Sequence, residues 1–328
     1  MRQNTPALRR LLLVVGVVLA LSLAPSAHAR TVHYWIAAVP ETWNVVPSGQ
    51  DPISGRTFTP EETTMQTVLY RKFTRGWGRQ LPNRFFSGDN DGIPGPTIRA
   101  RVGDTVLVHF KNLDTAFGRP HSMHFHGFRY RFSSDGSFVP GESGIGAAVP
   151  PGESVTYRLQ AVPSSVGVWP YHDHGPAMQA SIGGGMYGAI SIRGARERRP
   201  TREFVVFFAN HLGLHTVNGR AFVGNTPTFR ARVGELVQFN VLAIGEEFHT
   251  FHLHGHRWRF AEEFIDNRTV GPAESFRVRI REDVPGAWLY HCHVEFHQAN
   301  GMIGLYRVAR RVAGRAGTSG GAEVAGRP

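Results

Sequence analysis

The sequence predicts an all-β fold made of two similar antiparallel sandwich or barrel domains. Three observations predict it: motifs that recur in the same order, short strand-like segments between turns, and no long amphipathic helical pattern. "PTIRARVGDTVLVHF" (Pro96 to Phe110) recurs as "PTFRARVGELVQFNV" (Pro227 to Val241). "HSMHFHG" (His121 to Gly127) recurs as "HTFHLHG" (His249 to Gly255), and "WPYHDH" (Trp169 to His174) as "WLYHCH" (Trp288 to His293).

The elements follow in order. Arg2, Arg9 and Arg10 precede an apolar run, Leu11 to Leu23, and a small-x-small site at Ala27-His28-Ala29. Residues 1–29 are therefore expected to be a secretory signal, by either the general or the twin-arginine route. The run is short for a membrane span and no later segment is apolar enough, so a secreted or periplasmic protein without a span is expected. Residues 30–195 form the expected first domain, with strand-like stretches at Val102 to Phe110 and Val155 to Leu159. "GARERRPTR" (Gly194 to Arg202) reads as the linker. Residues 203–312 form the second domain, with strand-like stretches at Val233 to Val241 and Phe276 to Ile280. At roughly 165 and 110 residues, each is long enough for its own core. The Gly/Ala-rich segment 313–328 reads as a disordered tail.

The 328 residues carry a formal charge of +11. Loss of the leader removes three arginines and leaves 33 basic against 25 acidic side chains, or +8. The arginines are scattered rather than interleaved with aromatics, which argues against nucleic-acid binding. A surface attractive to anionic polymers or membranes is the more modest implication. Cys292 is the lone cysteine and cannot form a disulfide within the chain. In an oxidising compartment a spare thiol is a liability, so its place between His291 and His293 calls for a role.

Ten of the 17 histidines fall in four clusters: His124/His126, His172/His174, His249/His252/His254 and His291/His293/His297. In a strand, residues i and i+2 share a face and odd separations point oppositely. His291 and His293 therefore share a face that Cys292 opposes, and His249 opposes His252 and His254. Two sites result. Cys292, His249 and His297, with Met302 as a weak thioether, make the ligand set of a blue-copper centre; zinc, the rival, favours four strong ligands. The other site collects imidazoles alone, eight in all with His124, His126, His172 and His174. Cys292 joins the two sites, because its backbone neighbours belong to the second.

With these motifs in place, the chain resembles a multicopper oxidase of the two-domain, small-laccase kind, over roughly residues 31 to 310. "HYWIAAVPETWNVVPSG" (His33 to Gly49) also resembles ceruloplasmin-type oxidases. The resemblance implies two cupredoxin-like Greek-key domains and four coppers per chain. His249, Cys292, His297 and Met302 would hold a type 1 copper. His124 and His252 would hold type 2. His126, His172, His174, His254, His291 and His293 would hold the type 3 pair. It also implies O2 and a small reductant (a phenol, an aromatic amine or a metal ion) as substrates, and a homotrimer whose clusters form between chains. Asp135 and Asp266 match acidic positions in small laccases and are candidate proton relays. Tyr130 is a candidate redox-active phenol, packing being the commoner role. His256 matches no ligand and reads as a hydrogen-bonding support.

Three alternatives are weighed against a laccase-like activity. A copper nitrite reductase would place its blue copper in the first domain, where the cysteine is missing. A carrier or copper store needs no histidine-rich second site. A metallo-oxidase for Fe(II) would use the same copper sites, with carboxylates such as Glu246, Glu247, Glu262, Glu263 and Glu295 near the type 1 ligands.

Aligning the repeats also sets His121 against His249, Asp173 against Cys292, Met178 against His297 and Met186 against Met302. The first domain is thus expected to lack a blue copper, since a carboxylate cannot replace the sulfur bond.

Overall fold

Alternation of buried and outward side chains builds the first domain. This computed structural model describes residues 29–82 and 91–310. The expected leader, apart from Ala29, and the expected tail lie outside them. Nine strands run β1 (Thr31–Asn44), β2 (Thr64–Phe73), β3 (Gly95–Arg101), β4 (Thr105–Asn112), β5 (His124–Phe125), β6 (Arg129–Tyr130), β7 (Ser154–Gln160), β8 (Gly167–His172) and β9 (Tyr187–Arg193). They form two sheets, ordered β2-β1-β4-β7-β6 and β3-β9-β8-β5. In β4, Val106, Val108 and Phe110 are buried while Leu107, His109 and Lys111 face outward. Tyr157 and Leu159 of β7 join them in a core between the sheets.

The second domain repeats the plan. Its strands are β10 (Arg202–His211), β11 (Leu214–Val217), β12 (Thr228–Arg232), β13 (Leu236–Ala243), β14 (His249–Leu253), β15 (Trp258–Phe260), β16 (Glu263–Ile265), β17 (Asn267–Val270), β18 (Ser275–Arg281), β19 (Gly286–Cys292) and β20 (Ile303–Ala309). The sheets are β11-β10-β13-β18 and β12-β20-β19-β14-β17, with β15 and β16 as a separate hairpin. The same parallel pairs recur: β1 with β4 and β3 with β9, then β10 with β13 and β12 with β20. Among the described residues no helix is long and apolar enough to cross a membrane.

A third apolar cluster ties the domains together. In β10, Phe204, Val206 and Phe208 face the second domain's core. Val205, Phe207 and Ala209 between them face Tyr187, Ala189 and Val168 of the first domain. Period-two alternation explains why β10 reads as one continuous apolar run: both faces are covered. Buried hydrogen bonds reinforce the seam, from Trp43 Nε1 to the Gly219 carbonyl (2.7 Å) and from the Tyr187 hydroxyl to His211 Nε2 (2.9 Å).

Candidate metal centre

Antiparallel pairing brings the His-x-His motifs together. β5 pairs with β8 so that His124 sits opposite His172. β14 pairs with β19 so that His252 sits opposite His291, and Phe251 opposite Cys292. The glycine closing each His-x-His-Gly stretch has a positive φ, 75° at Gly127 and 70° at Gly255. A Cβ there would lie 2.3 Å from the Trp169 ring or 2.6 Å from the Trp288 ring. The tryptophan that opens each Trp-x-Tyr-His motif therefore packs on the glycine that closes the other, locking the two motifs in register.

His124, His126 and His172 form one donor group, and His252, His254 and His291 another, each with its ligand atoms within 4.8 Å of one another. His174 and His293 stand beside these groups, with ring centroids 5.3 Å from His124 and 5.4 Å from His252. Backbone carbonyls fix the tautomers. Nδ1 of His124 donates to the Asp135 carbonyl (2.7 Å) and Nδ1 of His252 to that of Asp266 (2.8 Å). Nδ1 of His172 and His291 donate to the carbonyls of Asp173 (3.0 Å) and Cys292 (2.9 Å). Nε2 of these four rings is left as a lone pair, and those of His172 and His291 face Nε2 of His126 (3.4 Å) and of His254 (3.1 Å). Burial, with neighbouring imidazoles adding to it, pushes His126 down to about 4. Burial likewise lowers His172 and His291 to about 4, neighbouring imidazoles adding to it against a backbone hydrogen bond. Near neutral pH these rings are uncharged donors, the form a metal requires.

Cys292 faces the other way. Its Sγ lies 3.6 Å from His297 Nδ1 and 4.0 Å from His249 Nδ1, and the two Nδ1 atoms are 3.2 Å apart. His249 opens β14, Cys292 ends β19, and His297 sits in the short helix α1 (Glu295–Ala299). Met302 is wholly buried in the same core, and its backbone bonds both Cys292 and His297. Burial raises the Cys292 thiol, opposed by the Thr250 amide that donates to Sγ at 3.3 Å. Burial and the His297 ring lower His249 to about 4. One thiol and two neutral imidazoles converging in a buried pocket fit a soft transition metal.

The first domain fills the equivalent place without a thiol. Asp173 accepts from His121 Nδ1 (2.8 Å), the Ser122 amide (2.8 Å) and the Gly175 amide (3.0 Å). His121 Nε2 reaches Asp114 at 3.2 Å, and all three side chains are buried. Two carboxylates therefore flank one imidazole from opposite edges, and their atoms do not converge on a common point. The Asp173 amide donates to the Met186 carbonyl, just as Cys292 does to Met302. Met178 instead stands partly exposed at the cleft between the domains.

That cleft, of about 840 Å³, is lined by His124, His126, His172 and His174 on one side and by Asn210, Glu246, Glu247 and His249 on the other. His252, His254, His291 and His293 do not line it. Within one chain the two four-histidine groups thus remain apart. Glu247 links two further groups: its Oε2 is 2.9 Å from His215 Nε2 and 3.3 Å from His297 Nε2. His215 stacks on His297 with centroids 4.1 Å apart. Burial works to raise the Glu247 carboxyl, but hydrogen bonds from Asn210 and His215 and the facing imidazoles outweigh it and hold it below the usual range. His215 belongs to no sequence motif; only the pairing of β10 with β11 brings it here. Of the proposed relays, Asp135 Oδ1 is 3.7 Å from His124 Nδ1 and Asp266 Oδ1 is 4.0 Å from His252 Nδ1. Burial and the Asp135 carboxylate push Tyr130 up to about 12, and its ring meets His124 edge-on at 6.5 Å. His256 donates from Nδ1 to the His254 carbonyl and pairs with buried Glu282 at 3.0 Å.

The multicopper oxidase family matches residues 80–197 and 195–312, and the chain belongs to that family. A probable nitrite reductase–hydroxylamine oxidoreductase fusion protein of Kuenenia stuttgartiensis is 31% identical over 261 residues, 72% of this chain and 29% of its own length. A ferroxidase of Homo sapiens is 28% identical over 344 residues, 84% of this chain and 29% of its own. The chain thus spans less than a third of these curated relatives. Among solved structures, a multicopper oxidase has a TM-score of 0.64 at 23% identity, covering 85% of this chain and 89% of that one. A copper nitrite reductase from Nitrosomonas europaea has a TM-score of 0.64 at 21% identity, covering 85% and 94%. Both share the fold.

Proposed function

We propose that this chain is a copper-dependent oxidase that takes single electrons from a small reductant at the Cys292 site and delivers them to O2 at the histidine-rich site. One observation carries the proposal: Cys292 belongs to one donor set while its neighbour His291 belongs to the other. His249, Cys292, His297 and Met302 would hold type 1 copper, His124 and His252 type 2, and the remaining six histidines the type 3 pair. Bound there, copper supplies a one-electron acceptor at the first set and the four-electron reduction of dioxygen to water at the second. The chain's own part is to hold Cys292 away from water and to join the sets through a single residue of backbone. Asp135 and Asp266, beside His124 and His252, would deliver protons, and Tyr130 would stand by as a phenol that burial keeps protonated.

The separation of the two four-histidine groups supports a cluster completed between chains. Domain 1 of one copy would meet domain 2 of the next, closing as a homotrimer. Mixing tests this. A variant carrying His126→Ala and a variant carrying His254→Ala should each be inactive alone. Co-refolded, they should regain activity, because some interfaces then unite two intact halves. No recovery would place the cluster within one chain.

For the reductant, laccase-like oxidation of phenols and aromatic amines needs an accessible edge at His297 and a base for the phenolic proton, and Glu247 offers one. A second reading, oxidation of Fe(II), is favoured by a specific observation: His215, Glu247 and His297 present three donors within 4.8 Å of one another. Comparing 2,6-dimethoxyphenol with Fe(II) decides between them. Under the second reading His215→Ala raises KM for Fe(II) at least tenfold and leaves the phenol rate within about twofold; equal effects on both would reject it.

A further inference from the structure

The arginines that look scattered in sequence are gathered by the strands. β3 and β9 place Arg101 opposite Arg193, and the equivalent strands β12 and β20 place Arg230 opposite Arg307. Both pairs point outward from the sheets. Like charges at directly opposed positions repel. Among the described residues no ion pair joins any of these four to a carboxylate, whereas nearby Arg99, Arg202 and Arg277 are paired with Glu203, Glu235 and Glu197. Arg193 shows the crowding: burial lowers it first, and Arg199, Arg101 and Arg30 lower it further against the pull of Glu203.

Two recesses lie beside these arginines. One, of about 140 Å³, is walled by Arg30, Arg99, Arg193 and Arg199, with the carboxylate of Glu203, already paired with Arg99, on its border. The second, of about 560 Å³, is walled by Arg202, Arg230, Arg232 and Arg307. Arg199, Pro200 and Glu203 border the first and Arg202 the second, so both recesses reach the segment that leads from the linker into β10.

We propose that this seam binds a linear acidic polysaccharide, its carboxylate or sulfate groups lying between the opposed guanidiniums. Guanidinium forks take such oxyanions in bidentate fashion, and an anion seated between two of them turns their repulsion into attraction. The shape favours a single sugar chain. At about 140 and 560 Å³ the recesses are small, whereas a duplex or a bilayer presents a broad surface. Among the described residues no aromatic side chain lines either recess, so bases have nothing to stack on. Among the described residues none of the exposed large apolar side chains lines the recesses to enter a bilayer. The seam uses none of the proposed copper ligands, so it would tether the protein to an anionic matrix without occupying the reductant cleft.

The test uses the full chain with a labelled heparin octasaccharide and with polygalacturonate as probes, over a series of salt concentrations. A duplex DNA of random sequence and phosphatidylglycerol vesicles serve as alternative partners. Binding should weaken steeply with salt, as counterion release requires. Arg230→Ser with Arg307→Ser should lower affinity for the glycans at least tenfold and flatten the salt slope. Arg101→Ser with Arg193→Ser should do the same independently. Both double variants should melt no lower than the parent, since each removes a repulsion, and should oxidise a small phenol at the parent rate. Unchanged glycan affinity in both double variants overturns the proposal, as does tighter binding to the duplex or the vesicles than to either glycan. A double variant that melts lower would assign the arginines to the fold instead.

Discussion

Replacing Asp173 by Asn tests whether the first domain's counterpart of the Cys292 site is held by charge. Asp173 is fully buried and accepts from His121, from Ser122 and from the Gly175 amide. The amide keeps the shape of the carboxyl group but loses its charge, and it turns an NH2 toward at least one existing donor. Leaving a buried donor unsatisfied costs roughly 1–3 kcal/mol, more where the lost acceptor is charged. Asp114 remains on the other edge of His121, so about 3 kcal/mol is expected. For a chain with domains of this size, about 2–4 °C per kcal/mol gives a fall in Tm of roughly 6–12 °C. Calorimetry on copper-free protein is the assay, with His121→Leu and the double variant completing a cycle. The two changes should be coupled by more than about 1 kcal/mol, because they remove the same contact. A shift under about 2 °C, or additive single costs, would refute the idea that the buried Asp173 carboxylate and its hydrogen bonds stabilise this place.

Cys292→Ser should abolish blue absorption and reduce turnover to background while the histidine sites still load copper; retained oxidation of any reductant would break the assigned path. Glu203→Gln should cost about 2–4 kcal/mol at pH 7 by removing the charge opposite Arg99 and turning an NH2 either toward Arg99 or toward Ser191 and Asn240, since only one acceptor oxygen remains. Burial works to raise the Glu203 carboxyl, but the Arg99 charge and these hydrogen bonds outweigh it and leave it lowered. Its stabilisation is therefore complete above the unfolded value of 4.5 and is lost as pH falls through the lowered folded value. The gap between parent and variant in urea melts should close in acid; a gap independent of pH would point to packing instead.

Local pattern carried most of the fold. Strand parity separates Cys292 from His291 because β14 and β19 are extended and paired in register, so the reading needed only period two. The repeat foretold Asp173 opposite Cys292 because both domains use the same strands. Other features depend on contacts no motif encodes. His215 lies 34 residues before His249, on a strand whose place is set by pairing with β10. Met178 aligns with His297, yet it stands at the interdomain cleft, where the partner surface decides its exposure. The arginine pairs escaped notice because charges far apart in sequence meet only through parallel pairing, as Arg230 does with Arg307. The double burial of β10 was likewise illegible, since one of its faces is covered by the other domain.

The most direct test of electron flow from Cys292 to O2 is a reductive titration in the absence of oxygen, followed by a measured pulse of O2. The blue absorption should bleach with about four electron equivalents per chain, then return as one O2 is consumed for every four electrons, without accumulated hydrogen peroxide. Bleaching by a single equivalent, with no O2 uptake on reoxidation, would mean an electron carrier and contradict the account.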